Sequence, residues 1–116
     1  MADILVIDDD PAVIRLVSLI LTAEGHRVRP ADSGTKGLDL LKDQTPELIV
    51  LDLQMPVMDG RAFYREARSS GYAGPVLILS AFGASQARQE LGAQASLSKP
   101  FEPDELVSAV STLASE

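Results

Sequence analysis

Short apolar runs alternate along this chain with stretches of helical spacing, and few architectures accommodate that pattern. The runs occupy residues 4–7, 47–51 and 76–79, with weaker ones at 27–31 and 95–98. The first three are continuous rather than alternating, as strands covered on both faces require. Between them Ile14, Val17 and Leu21 form one helical stripe, Leu38 and Leu41 a second, Phe63 and Ala67 a third, and Leu106, Val110 and Leu113 a last. Residues 83–91 predict a short, rather polar helix.

The punctuation agrees with these elements. Asp10-Pro11 reads as an N-cap followed by a first-turn proline, and Gly25 stops that helix. Ser33-Gly34 opens the second helix, and Thr45-Pro46 closes the loop after it. Asp59 or Gly60 opens the third, Gly71 and Gly74-Pro75 end it, and Pro103 starts the last. Strands that alternate with helices imply a parallel sheet, because parallel neighbours need crossovers. Right-handed crossovers place helices on both faces. The expected fold is therefore α/β: a doubly wound, five-stranded parallel sheet of flavodoxin-like order 2-1-3-4-5, with its switch point between strands 1 and 3. Ligands in such sheets bind outside the carboxyl ends of the strands. No repeat, low-complexity tract or linker interrupts residues 1–116, which are expected to form a single domain.

Composition excludes several classes. Cysteine is absent, which removes disulfides, thiol catalysis and thiolate metal sites, and fits a reducing compartment. No apolar run approaches the ~20 residues of a bilayer span. Met1-Ala2-Asp3 lacks the basic region of a secretory signal. The net charge of −7, with scattered basic residues, argues against a nucleic-acid surface. The expectation is a cytoplasmic chain with no membrane insertion and no direct nucleic-acid contact.

The acidic residues carry the chemistry. Strand 1 runs into Asp8-Asp9-Asp10 and strand 3 into Asp52. In the expected order these strands are neighbours, so Asp8, Asp9 and Asp52 crowd at the switch point. Two carboxylates about 5 Å apart repel by roughly 3 kcal/mol at an effective dielectric near 20. Such a group needs a cation or a raised pKa. Oxygen ligands without cysteine or a nearby histidine favour magnesium, or manganese, over zinc. Acids at strand ends also cap helices, and Asp10 before Pro11 is read as a cap. Taken without strand order, Asp8 and Asp9 are as compatible with capping as with metal binding; Asp52, which caps nothing obvious, tips the balance. Ser80 and Lys99 end strands 4 and 5 on the same edge. Singly each is an ordinary surface residue, but together a hydroxyl and an ammonium beside a metal-bound carboxylate suit an incoming phosphoryl group.

These residues stand in the stretches ILVIDDDPAV, LIVLDLQMPVMDG, PVLILSAFG and LSKPFEPDEL, which span essentially the whole chain. In that order and spacing the sequence resembles the response-regulator receiver domains of two-component signalling, close to the chemotaxis regulators. The resemblance implies that Asp52 is the phosphoacceptor, served by a histidine kinase or histidine phosphotransferase. It implies magnesium bound directly by Asp9, Asp52 and the backbone carbonyl of Gln54, with Asp8 acting mainly through water. Lys99 would pair with Asp52 and then with the phosphoryl group, while Ser80 would swing toward a phosphate oxygen and re-form the following loop. The Lys99-Pro100 bond is implied to be cis; sequence alone would favour trans, since cis occurs in only ~5% of X-Pro bonds. Met55, Pro56 and Gly60 are read as shapers of the loop after Asp52, with Gly60 a candidate for positive φ.

Three departures from the family pattern stand out. Ser96 occupies the place where many receivers carry Tyr or Phe, so the aromatic part of the switch is missing. Either Phe82 and the loop through Ser85 carry the signal, or Phe82 simply covers the site. The segment from Ser80 to Lys99 is about one helical turn shorter than usual, which puts in doubt the face through which many receivers dimerise or bind outputs. Gln54 and Phe82 occupy positions that tune self-dephosphorylation, and a ring near the acyl phosphate is expected to slow attacking water.

His26 is expected in a surface turn rather than in catalysis, and Arg61, Arg65 and Arg68 on the solvated side of the third helix. Apolar residues of the first helix, from Val13 to Leu21, are mostly core, with part implied as partner contact. The leading function is a phosphorylatable switch, which is not an enzyme beyond its own phosphoryl acceptance and slow dephosphorylation. A phosphorylation-independent pseudo-receiver is the alternative from the interaction class. An aspartyl-phosphate hydrolase is disfavoured because Gln54 stands where those enzymes carry a second aspartate.

Overall fold

Side chains alternate in direction along each strand, and that alternation decides which helix lies on which face of the sheet. In the computed structural model, residues 2–114 are described; Met1, Ser115 and Glu116 of the expected 1–116 domain lie outside the described residues. The elements run β1 (Asp3–Ile7), α1 (Pro11–Ala23), β2 (Arg27–Ala31), α2 (Gly34–Asp43), β3 (Leu48–Asp52), α3 (Gly60–Ser69), β4 (Val76–Ser80), α4 (Ala84–Leu91), β5 (Ala95–Ser98) and α5 (Pro103–Ala114). All neighbouring strands pair in parallel, in the order β2-β1-β3-β4-β5. Leu5, Ile7, Ile49, Leu51 and Ile78 point toward α2, α3 and α4, where they meet Leu41, Phe63, Ala67 and Ala87. Their strand neighbours Ile4, Val6, Leu48, Val50, Leu77 and Leu79 point the other way, onto Val17 and Leu21 of α1 and Leu106, Val110 and Leu113 of α5. Each such aliphatic side chain contributes about 1.5–3 kcal/mol relative to full exposure. The all-apolar strands thus supply two cores at once.

The helix starts follow local chemistry. Asp10 accepts a hydrogen bond from the Ala12 backbone N–H at 2.9 Å, and Ser33 from that of Lys36 at 3.1 Å. Asp59, rather than Gly60, is the N-cap of α3, accepting from Ala62 at 2.9 Å. β3 and β4 each extend one residue beyond the apolar run, so Asp52 and Ser80 are the last residues of their strands, in register with Leu79 and Ser98. Glu47 falls outside β3, its carboxylate accepting from the Asp3 N–H at 2.8 Å.

Several polar residues do more than their sequence context suggested. Arg29 pairs with Asp3 and donates to the carbonyls of Leu40 and Gln44, closing the end of α2 against β1 and β2. The solvated side of α3 holds Arg65 and also the partly exposed Arg61, but not Arg68. Arg68 lies over the rings of Tyr64 and Tyr72 and donates to the carbonyls of Tyr72 and Gly74, whereas Arg61 pairs with Glu90. His26 does sit in the turn before β2, half-buried, with Nδ1 accepting from the Ala2 N–H at 3.0 Å.

The loop from β3 to α3 corrects one expectation about glycine. Gly60 is not among the positive-φ glycines. It is required for space, since a Cβ there would lie 2.2 Å from the Asp52 carbonyl oxygen and 2.6 Å from the Leu53 Cα. The left-handed residue of this loop is Val57, at φ 68 and fully exposed. A β-branched residue in that region is strained by about 1–2 kcal/mol and recovers nothing here by burial. Val57→Asn, which tolerates the left-handed region, is expected to raise the unfolding free energy by about 1 kcal/mol in urea titrations. An unchanged or lower midpoint would contradict the assigned strain.

Candidate functional site

Parallel pairing sends the ends of β1, β3, β4 and β5 out of one edge of the sheet, and the chemically competent residues leave with them. Asp8 follows β1 and is buried, Asp9 beside it is exposed, and Asp52 ends β3 with only 3% of its surface accessible. One carboxylate oxygen from each of these three lies within 4.8 Å of the others. Asp10 is held apart as the cap of α1. Ser80 ends β4 fully buried, and Lys99 follows β5. The peptide bond between Lys99 and Pro100 is cis.

The ammonium of Lys99 reaches both buried carboxylates. It lies 2.7 Å from Asp8 Oδ2 and 3.3 Å from Asp52 Oδ1. The resemblance had given Asp52 as its partner; in the structure the shorter contact is to Asp8. The other oxygen of Asp8 accepts the backbone N–H of Asp10 at 2.9 Å, so Asp8 also orients the entry to α1. Burial, and then the charge of Asp8, push the Asp52 carboxyl above its usual value against the opposing pull of Lys99 and the Gln54 backbone amide. Burial pulls Lys99 down, but its hydrogen bond to Asp8 and the charges of both carboxylates outweigh that, and the net shift is upward. The site therefore holds a charged lysine beside a buried carboxyl whose ionised form is disfavoured.

Ser80 is tied to the next loop rather than to the acids. Its Oγ donates to the Phe82 carbonyl at 3.2 Å and accepts from the Phe82 N–H at 3.4 Å. The Lys99 N–H donates to the Ser80 carbonyl at 2.8 Å, joining the two residues through the backbone. The Phe82 ring is 74% exposed, so what links Phe82 to the site is its backbone. Ala95 and Leu97 pack toward α1 and α5, which by alternation puts Ser96 on the α4 face. No ring extends from that position. Gln54 is exposed and Met55 buried. The hydrogen bond from the Asp10 amide to Asp8 was beyond sequence reasoning, because backbone donors carry no residue signature.

The magnesium expected from the acidic residues can be judged by the ligand geometry. Ligands at ~2.1 Å from one ion lie at most ~4.2 Å apart, and three oxygens within 4.8 Å of one another stand close to that limit. The donor set, all oxygen, suits a hard cation. Among the described residues, no helix is long and apolar enough to cross a membrane.

The sequence matches the response regulator receiver domain family over residues 4–111. It is 37% identical over 112 residues to the transcriptional regulatory protein GlrR of Escherichia coli, an alignment covering 94% of this chain and 25% of GlrR. It is 39% identical over 120 residues to the DNA-binding dual master transcriptional regulator RpaA of Synechocystis, covering 97% of this chain and 49% of RpaA. The chain thus spans between a quarter and a half of the length of these relatives. Among solved structures, the chemotaxis protein CheY4 of Vibrio cholerae superposes with a TM-score of 0.88 at 30% identity, covering 97% of this chain and 98% of CheY4. With this family match and a sheet order that places Asp52 at the switch point, the chain belongs to the receiver domains of two-component response regulators.

Proposed function

We propose that this receiver, as one domain, accepts a phosphoryl group on Asp52 from the phosphohistidine of a histidine kinase or histidine phosphotransferase, and changes conformation in response. The observation that carries the reading is the position of the Asp52 carboxylate, within reach of the Lys99 ammonium and grouped with Asp8 and Asp9. An Asp52 oxygen forms the new P–O bond as the P–N bond of the donor breaks and its electron pair returns to the imidazole. Asp9, Asp52 and the Gln54 carbonyl would hold magnesium or manganese directly, with Asp8 acting through water. When bound, that ion supplies positive charge against the phosphoryl oxygens. Lys99 moves its hydrogen bonding from the carboxylates to the transferred group. Ser80 donates to a phosphoryl oxygen only by releasing the Phe82 carbonyl, which turns the chemistry at Asp52 into movement of the following loop.

Gln54 offers no carboxylic acid two residues after Asp52, so the chain is read as a switch that loses its phosphoryl group slowly and not as a hydrolase. GlrR and RpaA are transcriptional regulators by name; in this chain the acidic receiver is not itself the nucleic-acid contact, consistent with its charge of −7.

Incubation with acetyl phosphate and magnesium should add one phosphoryl mass increment to the intact chain, absent in Asp52→Ala. A wild-type chain that gains no mass would point instead to the phosphorylation-independent pseudo-receiver.

The raised pKa of Asp52 has a stability consequence whose sign is fixed. A carboxyl raised in the folded state stabilises the fold while protonated and loses that contribution as pH rises through its folded pKa. Without divalent cations, Asp52→Asn should therefore be more stable than wild type at pH 7. The gap should shrink as pH falls through the folded pKa of Asp52. Chemical denaturation across that range is the check, and a less stable Asn variant at pH 7 would refute the electrostatic account.

A further inference from the structure

α4 is seated differently from the other helices. It buries only Ala84 and Ala87, with Leu91 half-buried beside them, whereas α5 buries Leu106, Val110 and Leu113. No side chain caps its start, and the glycines flanking it, Gly83 at φ 66 and Gly92 at φ 77, are left-handed with open space around them. Small buried side chains, and a start that has no side-chain cap behind a left-handed glycine, make a helix that shifts at low cost.

Against that loose seat stands a polar contact from α3. Arg61 Nη1 lies 2.6 Å from Glu90 Oε2, and Gln86 donates to the other Glu90 oxygen at 3.0 Å. Together they hold the Glu90 carboxyl below its usual value, the Arg61 bond first and the Gln86 bond second. Arg61 follows Gly60, whose N–H donates to the Leu53 carbonyl at 2.9 Å and whose Cα packs against the Asp52 backbone. The first turn of α3 is thus registered on the acceptor residue. α4 is connected to the site twice: at its start through Ser80 and Phe82, and near its end through Arg61.

We propose that the Arg61–Glu90 ion pair is a strap that biases α4 toward its resting position and so opposes the rearrangement that an occupied Asp52 demands. The inference rests on Asp52 as the phosphoacceptor. An exposed ion pair shifts an equilibrium by a few-fold and no more, so the strap tunes the switch and does not lock it.

Amide hydrogen exchange on the unphosphorylated, metal-free chain tests the strap without relying on phosphoryl chemistry. Arg61→Ala and Glu90→Gln should each speed exchange across residues 84–91 by about two- to fivefold, with the sheet unchanged. The reversed pair, Arg61→Glu with Glu90→Arg, should restore the wild-type rate. With magnesium and beryllofluoride as the phosphoryl mimic, both single variants should bind the mimic more tightly by a similar factor. Wild-type exchange in the single variants, or no recovery in the reversed pair, overturns the strap. Faster exchange with unchanged beryllofluoride affinity overturns its coupling to the site. If wild type binds no beryllofluoride while exchange still responds, the acceptor reading fails and the α3–α4 restraint stands.

Discussion

The ammonium of Lys99 makes the carboxyl edge of this sheet tenable. Asp8 and Asp52 are both buried, and effective desolvation penalties of several kcal/mol per ion apply to such groups unless they are paired. Lys99 reaches both, at 2.7 and 3.3 Å. With Asp9 included, one ammonium still leaves two of the three negative charges uncompensated. That imbalance is a structural cost in the resting chain, and one that a bound cation would offset. Asp52 records the strain most directly, in a pKa that burial and Asp8 raise despite the lysine.

The shorter contact of Lys99 to Asp8 makes Asp8 a pivot. One of its oxygens holds the lysine, and the other holds the amide of Asp10, which in turn caps α1. A cation drawing on Asp8, or a phosphoryl group drawing Lys99 away from it, therefore acts on a group already shared between β5 and the start of α1. At a residue shared in this way, a new partner displaces an existing one, so a change at the site would be felt where the displaced bond was made. The Ser80 hydroxyl, by contrast, is held by the Phe82 backbone, through its N–H and its carbonyl.

Much of this was legible in the order of residues. Continuous apolar runs separated by helical stripes left one common topology, and the two-sided burial of Ile4 to Ile7, Leu48 to Leu51 and Val76 to Leu79 is its physical reason. Asp8, Asp52 and Ser80 could be placed because they directly follow apolar runs, where a parallel sheet opens its ligand edge. What was not legible depends on tertiary distances. Which carboxylate Lys99 prefers is a matter of tenths of an ångström between adjacent strands. Gly60 is glycine because the Asp52 backbone lies against it, not because of its φ, and no local pattern distinguishes those reasons. The left-handed Val57 ran against its own propensity. Arg68 read as a solvated helix residue until Tyr72 and the Gly74 carbonyl folded back over it.

The account turns on whether the converging carboxylates form a real cation seat. Magnesium titration by isothermal calorimetry, with wild type beside Asp9→Asn, tests this most directly. The account predicts a single divalent site in wild type, weakened at least about tenfold when the exposed carboxylate is neutralised. No detectable binding in wild type, or equal affinity in the two proteins, would contradict it.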